Sequence, residues 1–260
     1  MNADTAFKLI ALNHQFYQTF SVQFSATRQR LQPGVVKILD RLRGAAVILD
    51  LGCGNGGLAR RLAQRGFNGT YVGVDFSSEF LSEAIRLLVN IPDLANRFTF
   101  IQADLSTRDW DAAISKSQTY VDRTQLSTLT FPLSFNAILA FGVLHHLPGV
   151  DLRLQLLRKV RSLLSLGSWF IHSEWQFLNS PRLRSRIQPW EVVGLTDADL
   201  ETGDYLLDWR GGGHGLRYVH HFSEDELTSL AAQTGFTIYE TFLSDGEGGK
   251  LGLYQVWKNG

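Results

Sequence analysis

Two hydrophobic periods alternate along this chain. Short runs such as Val47-Ile48-Leu49-Asp50-Leu51 and Phe135-Asn136-Ala137-Ile138-Leu139-Ala140-Phe141 are almost continuously apolar, the form of strands buried on both faces. The pattern predicts strands at 46–51, 70–75, 98–104, 135–141 and 168–173. Between them the apolar positions recur at helical spacing. Leu58, Leu62 and Ala63 follow the first strand, in a helix that ends near Gly66. Leu81, Ile85 and Leu88 follow Ser77 or Ser78 as cap, with Pro92 as stop. Leu152, Leu156, Val160, Leu163 and Leu164 form a strong stripe closed by Gly167. A further helix is expected within 105–116, and 115–130 reads as a surface connection rich in Ser, Thr and Gln. Ser223-Glu224-Asp225-Glu226 reads as a capping box opening a helix to Gly235, and 236–243 and 250–258 read as a closing hairpin.

Five strand–helix alternations imply an α/β fold: a Rossmann-like, doubly wound sheet of seven strands with the last antiparallel. Two segments break the rhythm. Residues 6–24 (Phe7, Ile10, Leu12, Phe16, Tyr17, Phe20, Phe24) are spaced for one or two short helices, and Pro33 suits the first turn of a helix over 33–43 with Val36, Leu39 and Leu42 as its buried stripe. Residues 176–222 hold arginines, tryptophans and a glycine cluster. The organisation expected is one domain over 1–260: a helical lid at 1–45, a core at 46–175 and 223–260, and a substrate-side insertion at 176–222 hanging over the strand carboxyl ends.

The densest chemical signal is Asp50-Leu51-Gly52-Cys53-Gly54-Asn55-Gly56-Gly57. A strand that breaks into glycines and then enters a helix lets the backbone approach a ligand closely. Gly52-x-Gly54-x-x-Gly57 matches the letters of a dinucleotide fingerprint. Asp75 ends the next strand and suits ribose hydroxyls. Asp50 separates the possibilities, because a pyrophosphate at that strand end would meet a like charge, whereas a ligand bearing a sulfonium and an ammonium would be attracted. Asp104, at the end of the third strand, is placed to accept from an adenine amine. The adjacent His145 and His146 point in different directions, which argues against a metal pair; either suits a base facing substrate or a packing imidazole.

Composition narrows this little. The 260 residues carry 44% hydrophobic and 19% charged residues with a formal net charge of zero, which gives no global drive toward nucleic acid or membrane. One cysteine excludes an internal disulfide and a cysteine zinc cluster, so no metal is expected. The start shows no secretory signal pattern and no apolar stretch is long enough to span a bilayer, so a cytoplasmic protein is expected. Charge is uneven. Residues 1–45 hold six basic and two acidic residues, 151–190 hold seven and two, and 191–260 hold four and twelve. Solvated helix faces account for this as well as a basic rim does.

With these residues in view, the Asp-x-Gly-x-Gly-x-Gly turn followed by an acidic strand end resembles class I S-adenosylmethionine-dependent methyltransferases. Phe24-Ser25-Ala26-Thr27-Arg28, Leu144-His145-His146-Leu147 and Arg217-Tyr218-Val219-His220-His221-Phe222 resemble segments of the tRNA wobble-uridine carboxymethyl methyltransferases. The resemblance implies S-adenosyl-L-methionine held by Asp50, Gly52, Cys53, Gly54, Asn55, Gly56, Asp75, Phe76, Ala103, Asp104, Leu105 and Phe141, with Tyr17 lining the same space. Arg28, His146, Arg217 and His221 would serve the acceptor. The acceptor implied is a carboxylate on a modified tRNA, with a small partner subunit. A small molecule methylated at O, N or C is the alternative, and a non-catalytic cofactor-binding partner protein is a second. A carboxylate needs only a cation such as Arg28 or Arg217 to orient it. A phenol or amine needs His145, His146 or His221 to take a proton.

Overall fold

The computed structural model describes residues 1–27, 30–88, 97–117 and 134–260. In chain order its elements are α1 (Ala3–Ala26), α2 (Pro33–Leu39), β1 (Val47–Leu51), α3 (Gly57–Gln64), β2 (Thr70–Asp75), α4 (Ser78–Leu88), β3 (Phe98–Gln102), α5 (Ala112–Ser117) and β4 (Phe135–Phe141). Then follow α6 (Val150–Leu163), β5 (Leu164–Trp175), α7 (Pro181–Arg184), β6 (Ile187–Gln188), β7 (Asp204–Trp209), β8 (Gly215–His220), α8 (Glu224–Thr234), β9 (Phe236–Ser244) and β10 (Gly252–Asn259).

Seven strands make one sheet in the order β3-β2-β1-β4-β5-β10-β9. The β1, β2, β3, β4 and β5 neighbours pair in parallel, and β10 runs antiparallel to both β5 and β9. This is the expected doubly wound sheet. Alternation along β1 divides the core. Val47, Leu49 and Leu51 face a layer shared with Leu156, Leu157 and Val160 of α6 and Leu227 and Leu230 of α8. Ile48 faces Val35, Ile38 and Leu39 of α2 and Leu58 and Leu62 of α3. Asp50, two residues on from Ile48, shares that second face with Tyr71 of β2. The chain leaves β1 toward β2 and β3 and returns to β4 on the other side. The carboxyl ends of β1 and β4 therefore flank a topological switch point, where ligands of such sheets bind.

Several expected elements change. The amino-terminal segment is one helix of 24 residues, kinked where Phe20 leaves helical φ/ψ. On α2 the buried positions are Gly34, Val35, Ile38 and Leu39, with Val36 only half-buried. On α4 Phe80, Leu81 and Ala84 turn inward and Ile85 is exposed. The helix expected over 105–116 shortens to α5, and β3 stops at Gln102, which leaves Ala103 and Asp104 in a loop. Gly167 does not close α6: the helix passes straight into a twelve-residue β5, and Gly167 (φ +75°) lies within that strand. Ser223 caps α8 by accepting from the Glu226 amide, but the Glu226 carboxylate turns to His220 at 3.0 Å, so only half of the box forms. Pro92 and most of the surface connection at 115–130 lie outside the described residues.

The largest change is the insertion. It is a three-stranded antiparallel sheet, β6-β7-β8. Leu206 and Tyr218 pack against Leu9 of α1, together with Trp190 and Leu195. Asn13 of α1 is buried, and its amide group pairs with the Tyr218 backbone as a strand edge would: Oδ1 accepts from Tyr218 N at 2.8 Å and Nδ2 donates to Tyr218 O at 3.2 Å. Helix α1 and the small sheet thus form one layer above the strand ends.

Candidate active site

Between that layer and the sheet lies a cavity of about 700 Å³. Its floor is the turn after β1. Gly52, Gly54 and Gly56 have φ of +66°, +54° and +73°, values that favour glycine. Their surroundings differ. A Cβ on Gly54 would meet nothing within 4 Å, and Gly54 lines the cavity, so this position is a cradle that a side chain would fill. A Cβ on Gly56 would stand 2.7 Å from that of Ala84, so this glycine lets α3 and α4 approach.

Two carboxylates border the turn. Asp75 is buried; its Oδ2 accepts from the Gly54 amide and its Oδ1 from the Ser77 amide, each at 2.9 Å. A carboxylate has about four lone-pair sites, so Asp75 keeps capacity for two ligand hydroxyls. Burial raises its pKa, and the amides at Ser77 and Gly54 oppose the rise. Asp50 is buried and accepts a short hydrogen bond from the Tyr71 hydroxyl. Burial pushes its pKa up to about 7 against that hydrogen bond, with the charge of Asp75 adding to the rise. A cationic group is the ligand that would return Asp50 to its ionised form.

On the side of β3, His14 of α1 stacks on Phe76 with centroids 4.6 Å apart and places Nε2 3.3 Å from Asp104. Asp104 also accepts from Ser106 N and Oγ. Burial would raise its pKa, but the His14 and Ser106 hydrogen bonds outweigh it and hold the carboxyl below its usual range.

The opposite wall comes from α7, β7 and β8. Arg217 is buried, with its guanidinium 4.8 Å from the Trp175 ring centre, 5.3 Å from Phe16 and 5.9 Å from Trp209. Arg182, Arg186 and Arg210 line the same wall, and Arg210 pairs with Asp208 at 2.7 Å. The cavity therefore joins an acid-bordered glycine cradle to a basic, aromatic wall.

Three histidines lie close by with different duties. His146 bonds the Tyr17 hydroxyl through Nε2 at 2.7 Å and faces Tyr218 O through Nδ1 at 3.4 Å, so it ties α1 to the small sheet. His145 lines the cavity, and its Nδ1 lies 3.0 Å from Glu174. His221 stands edge-on to Phe177 and does not line the cavity.

Of the expected site residues, Tyr17, Asp50, Gly52, Cys53, Gly54, Asn55, Asp75, Phe76, Ala103, Asp104, Leu105, Phe141, His146 and Arg217 meet at this cavity. Gly56 and His221 do not. Gly56 packs one helix on another, and His221 follows β8 and packs edge-on against Phe177, outside the cavity lining. Arg28 lies outside the described residues. Sequence reading noted Arg182 and Arg186 only as part of the insertion's arginine cluster and did not single out His14, Glu174, Trp175 or Arg210. His14 carried a usable signal, since it lies one helical turn before Tyr17 and so shares its face. Among the described residues no cluster of three or more His, Cys, Asp and Glu is arranged to hold a metal ion, and no helix is long and apolar enough to cross a membrane.

Residues 24–241 match a family model described as a methyltransferase domain. A protein of Encephalitozoon cuniculi named as a methyltransferase is 25% identical over 230 residues, 87% of this chain and 88% of its own length. Among solved structures, an S-adenosylmethionine-dependent methyltransferase of Methanosarcina mazei superposes with a TM-score of 0.60 at 22% identity, covering 88% of this chain and 97% of that one. A methyltransferase of Streptomyces caelestis gives a TM-score of 0.57 at 18% identity over 85% and 92%. At these identities the two structures speak for the fold.

Proposed function

The chain belongs to the methyltransferase-domain family, and on that premise we propose that it transfers the methyl group of S-adenosylmethionine to a small acidic acceptor. The observation that carries this reading is the joined cavity, with a glycine cradle between Asp50 and Asp75 at one end and the arginine wall around Arg217 at the other. When bound, the sulfonium cofactor supplies an electrophilic methyl group and leaves as a neutral thioether. Gly54 leaves room for it, Asp75 suits its ribose hydroxyls, and Asp50 suits its cationic end. Phe76 and His14 offer an aromatic surface beside Asp104 for a purine.

The residues of this chain mainly position and exclude water. Helix α1 closes the cavity from above, as a lid would. Its last turns are held to the glycine turn by Asn55, whose amide donates to Ser25 Oγ at 2.6 Å, and by Ser25, which donates to Glu83 at 2.5 Å. Orientation of two reactants in such an enclosure is worth roughly 7–11 kcal/mol of barrier. An anionic acceptor group would dock against Arg217, whose ring partners keep the guanidinium away from water.

The acceptor class is tested with methyl-tritiated S-adenosylmethionine and a cell extract fractionated into small molecules, RNA and protein. Label in small anionic molecules supports the reading. Label in tRNA would favour the second reading, a carboxylate on a modified uridine, for which Tyr17 and Arg217 at the cavity speak. No transfer to any fraction would overturn both.

A further inference from the structure

We propose that the part of the cavity bordered by Arg182 and Arg186 is a phosphate subsite, and that the acceptor carries a phosphate monoester there. This rests on the methyl-transfer reading and adds the chemical class of the group that holds the acceptor in place.

A short stretch of chain sets the two arginines. Helix α7 opens on Pro181, whose fixed φ suits a first helical turn. Leu183 anchors it, buried with Phe177, Leu207 and Val219. The Ser185 amide donates to Pro181 O at 3.1 Å and the Arg186 amide to Leu183 O at 3.0 Å, so the turn closes on itself. Arg182 and Arg186, four residues apart, line the cavity, while Arg184 between them does not. The Arg186 carbonyl accepts from the Asp208 amide at 2.9 Å, which ties this turn to β7. Leu207, the residue before Asp208, is the cross-strand partner of Arg217 on β8. The arginine turn and the Arg217 strand therefore belong to one wall.

Charge decides what that wall takes. Arg210 and Asp208 also line it, and Arg210 Nε donates to Asp208 at 2.7 Å. Asp245, another acid of the cavity, accepts from the Gly34 amide at 2.9 Å and the Tyr254 hydroxyl at 2.6 Å. Arg182 and Arg186 hold no ion pair or side-chain hydrogen bond among the described residues. Their two charges are thus left for a ligand. A phosphate monoester carries about −1.5 to −2 at neutral pH and matches both, whereas a carboxylate answers one. Its three oxygens also suit two guanidinium forks, each of which presents parallel N–H donors.

Exposure points the same way. Arg182 is exposed and Arg186 half-buried, whereas Arg217 is buried. A dianion loses more by leaving water than a monoanion does, so a half-wet pair of cations holds it at lower cost than the dry surroundings of Arg217. The phosphate is a handle. It orients the acceptor and takes no part in making or breaking bonds.

The test uses the full chain saturated with S-adenosylhomocysteine at fixed salt. It is titrated calorimetrically with phenyl phosphate and with benzoate, which share a ring and differ in the anion. The same titrations are made on a chain carrying both Arg182→Gln and Arg186→Gln. In the parent chain phenyl phosphate is expected to bind at least about tenfold more tightly than benzoate, the scale of one added hydrogen bond to a charged group. The double variant should lose that advantage while binding benzoate and S-adenosylhomocysteine as the parent does. Phenyl phosphate that binds no better than benzoate, or an advantage that survives in the double variant, overturns the subsite. Oligouridylate, a chain of singly charged phosphodiesters, is the third probe. If it binds more tightly than phenyl phosphate and the double variant loses it, the monoester is overturned in favour of an RNA chain. Absence of S-adenosylhomocysteine binding overturns the cofactor reading itself, whereas its binding with equal affinities for phenyl phosphate and benzoate overturns only the phosphate subsite.

Discussion

Asp50 makes the cofactor site sensitive to pH in a way that can be worked out in advance. Burial lifts its pKa from 3.8 to about 7 even though Tyr71 donates to it. A cationic ligand binds the ionised carboxylate, so below pH 7 each unit of pH first removes a proton from Asp50 at a cost of about 1.4 kcal/mol. Asp50 is half ionised at pH 7, so affinity for S-adenosylhomocysteine is expected to fall roughly 50-fold, about 2.3 kcal/mol, from pH 7 to pH 5. In the ligand-free chain the same group acts in the other direction. The unfolded chain releases this proton near 3.8 while the folded chain keeps it to about 7, so the unfolded state binds fewer protons in that window and stability falls as pH rises through it. The assay is calorimetric titration from pH 5 to 7 on the parent chain, Asp50→Asn and Tyr71→Phe. Asp50→Asn should lose the ionisation near 7 and keep only that of Asp75. Tyr71→Phe, which removes a hydrogen bond to a charged group worth about 1.5–3 kcal/mol, should move the ionisation upward and weaken binding at pH 7. A dissociation constant that does not change from pH 5 to 7, or a full slope retained in Asp50→Asn, would refute the reasoning.

Gly54→Val should abolish cofactor binding while the thermal transition falls only by the roughly 1–2 kcal/mol cost of a left-handed side-chain residue, read by calorimetry and circular dichroism together. Arg153 is wholly buried between Glu201 and Glu226, so Arg153→Met, which leaves both carboxylates without it, should cost about 3–5 kcal/mol in urea unfolding. His220 is held protonated above its usual range because its bonds to Asp204 and Glu226 outweigh burial. Its stabilisation is complete below about pH 6.5 and is lost as pH rises through the raised value, so His220→Gln should flatten that alkaline loss in a denaturation series.

The strands of the core were legible because strands buried on both faces are written as unbroken apolar runs; β2 and β4 match their expected limits to the residue. Asp50 and Asp75 were legible because each is an acid at the end of such a run. The pairing of Asp50 with Tyr71 was not, since it depends on the register that sets Ile48 beside Tyr71 and Asp50 beside Gly73. The small sheet was hidden for a different reason. Its strands carry Asp204, Arg217 and His220 as buried residues, so the alternation of apolar and polar positions that marks a half-buried strand is broken where charge is paired inside. Glu174 escaped notice because nothing near it in sequence shows that His145, 29 residues away, returns to it across the β4–β5 pair.

The central claim is that the glycine turn cradles S-adenosylmethionine. Titration of the intact chain with S-adenosylhomocysteine and, separately, with NAD at pH 7 tests it most directly, with Gly54→Val as control. One-to-one binding of S-adenosylhomocysteine that the Gly54→Val chain has lost, with no heat from NAD, is the result expected. Binding of NAD in its place, or S-adenosylhomocysteine binding that survives a side chain at Gly54, would contradict it.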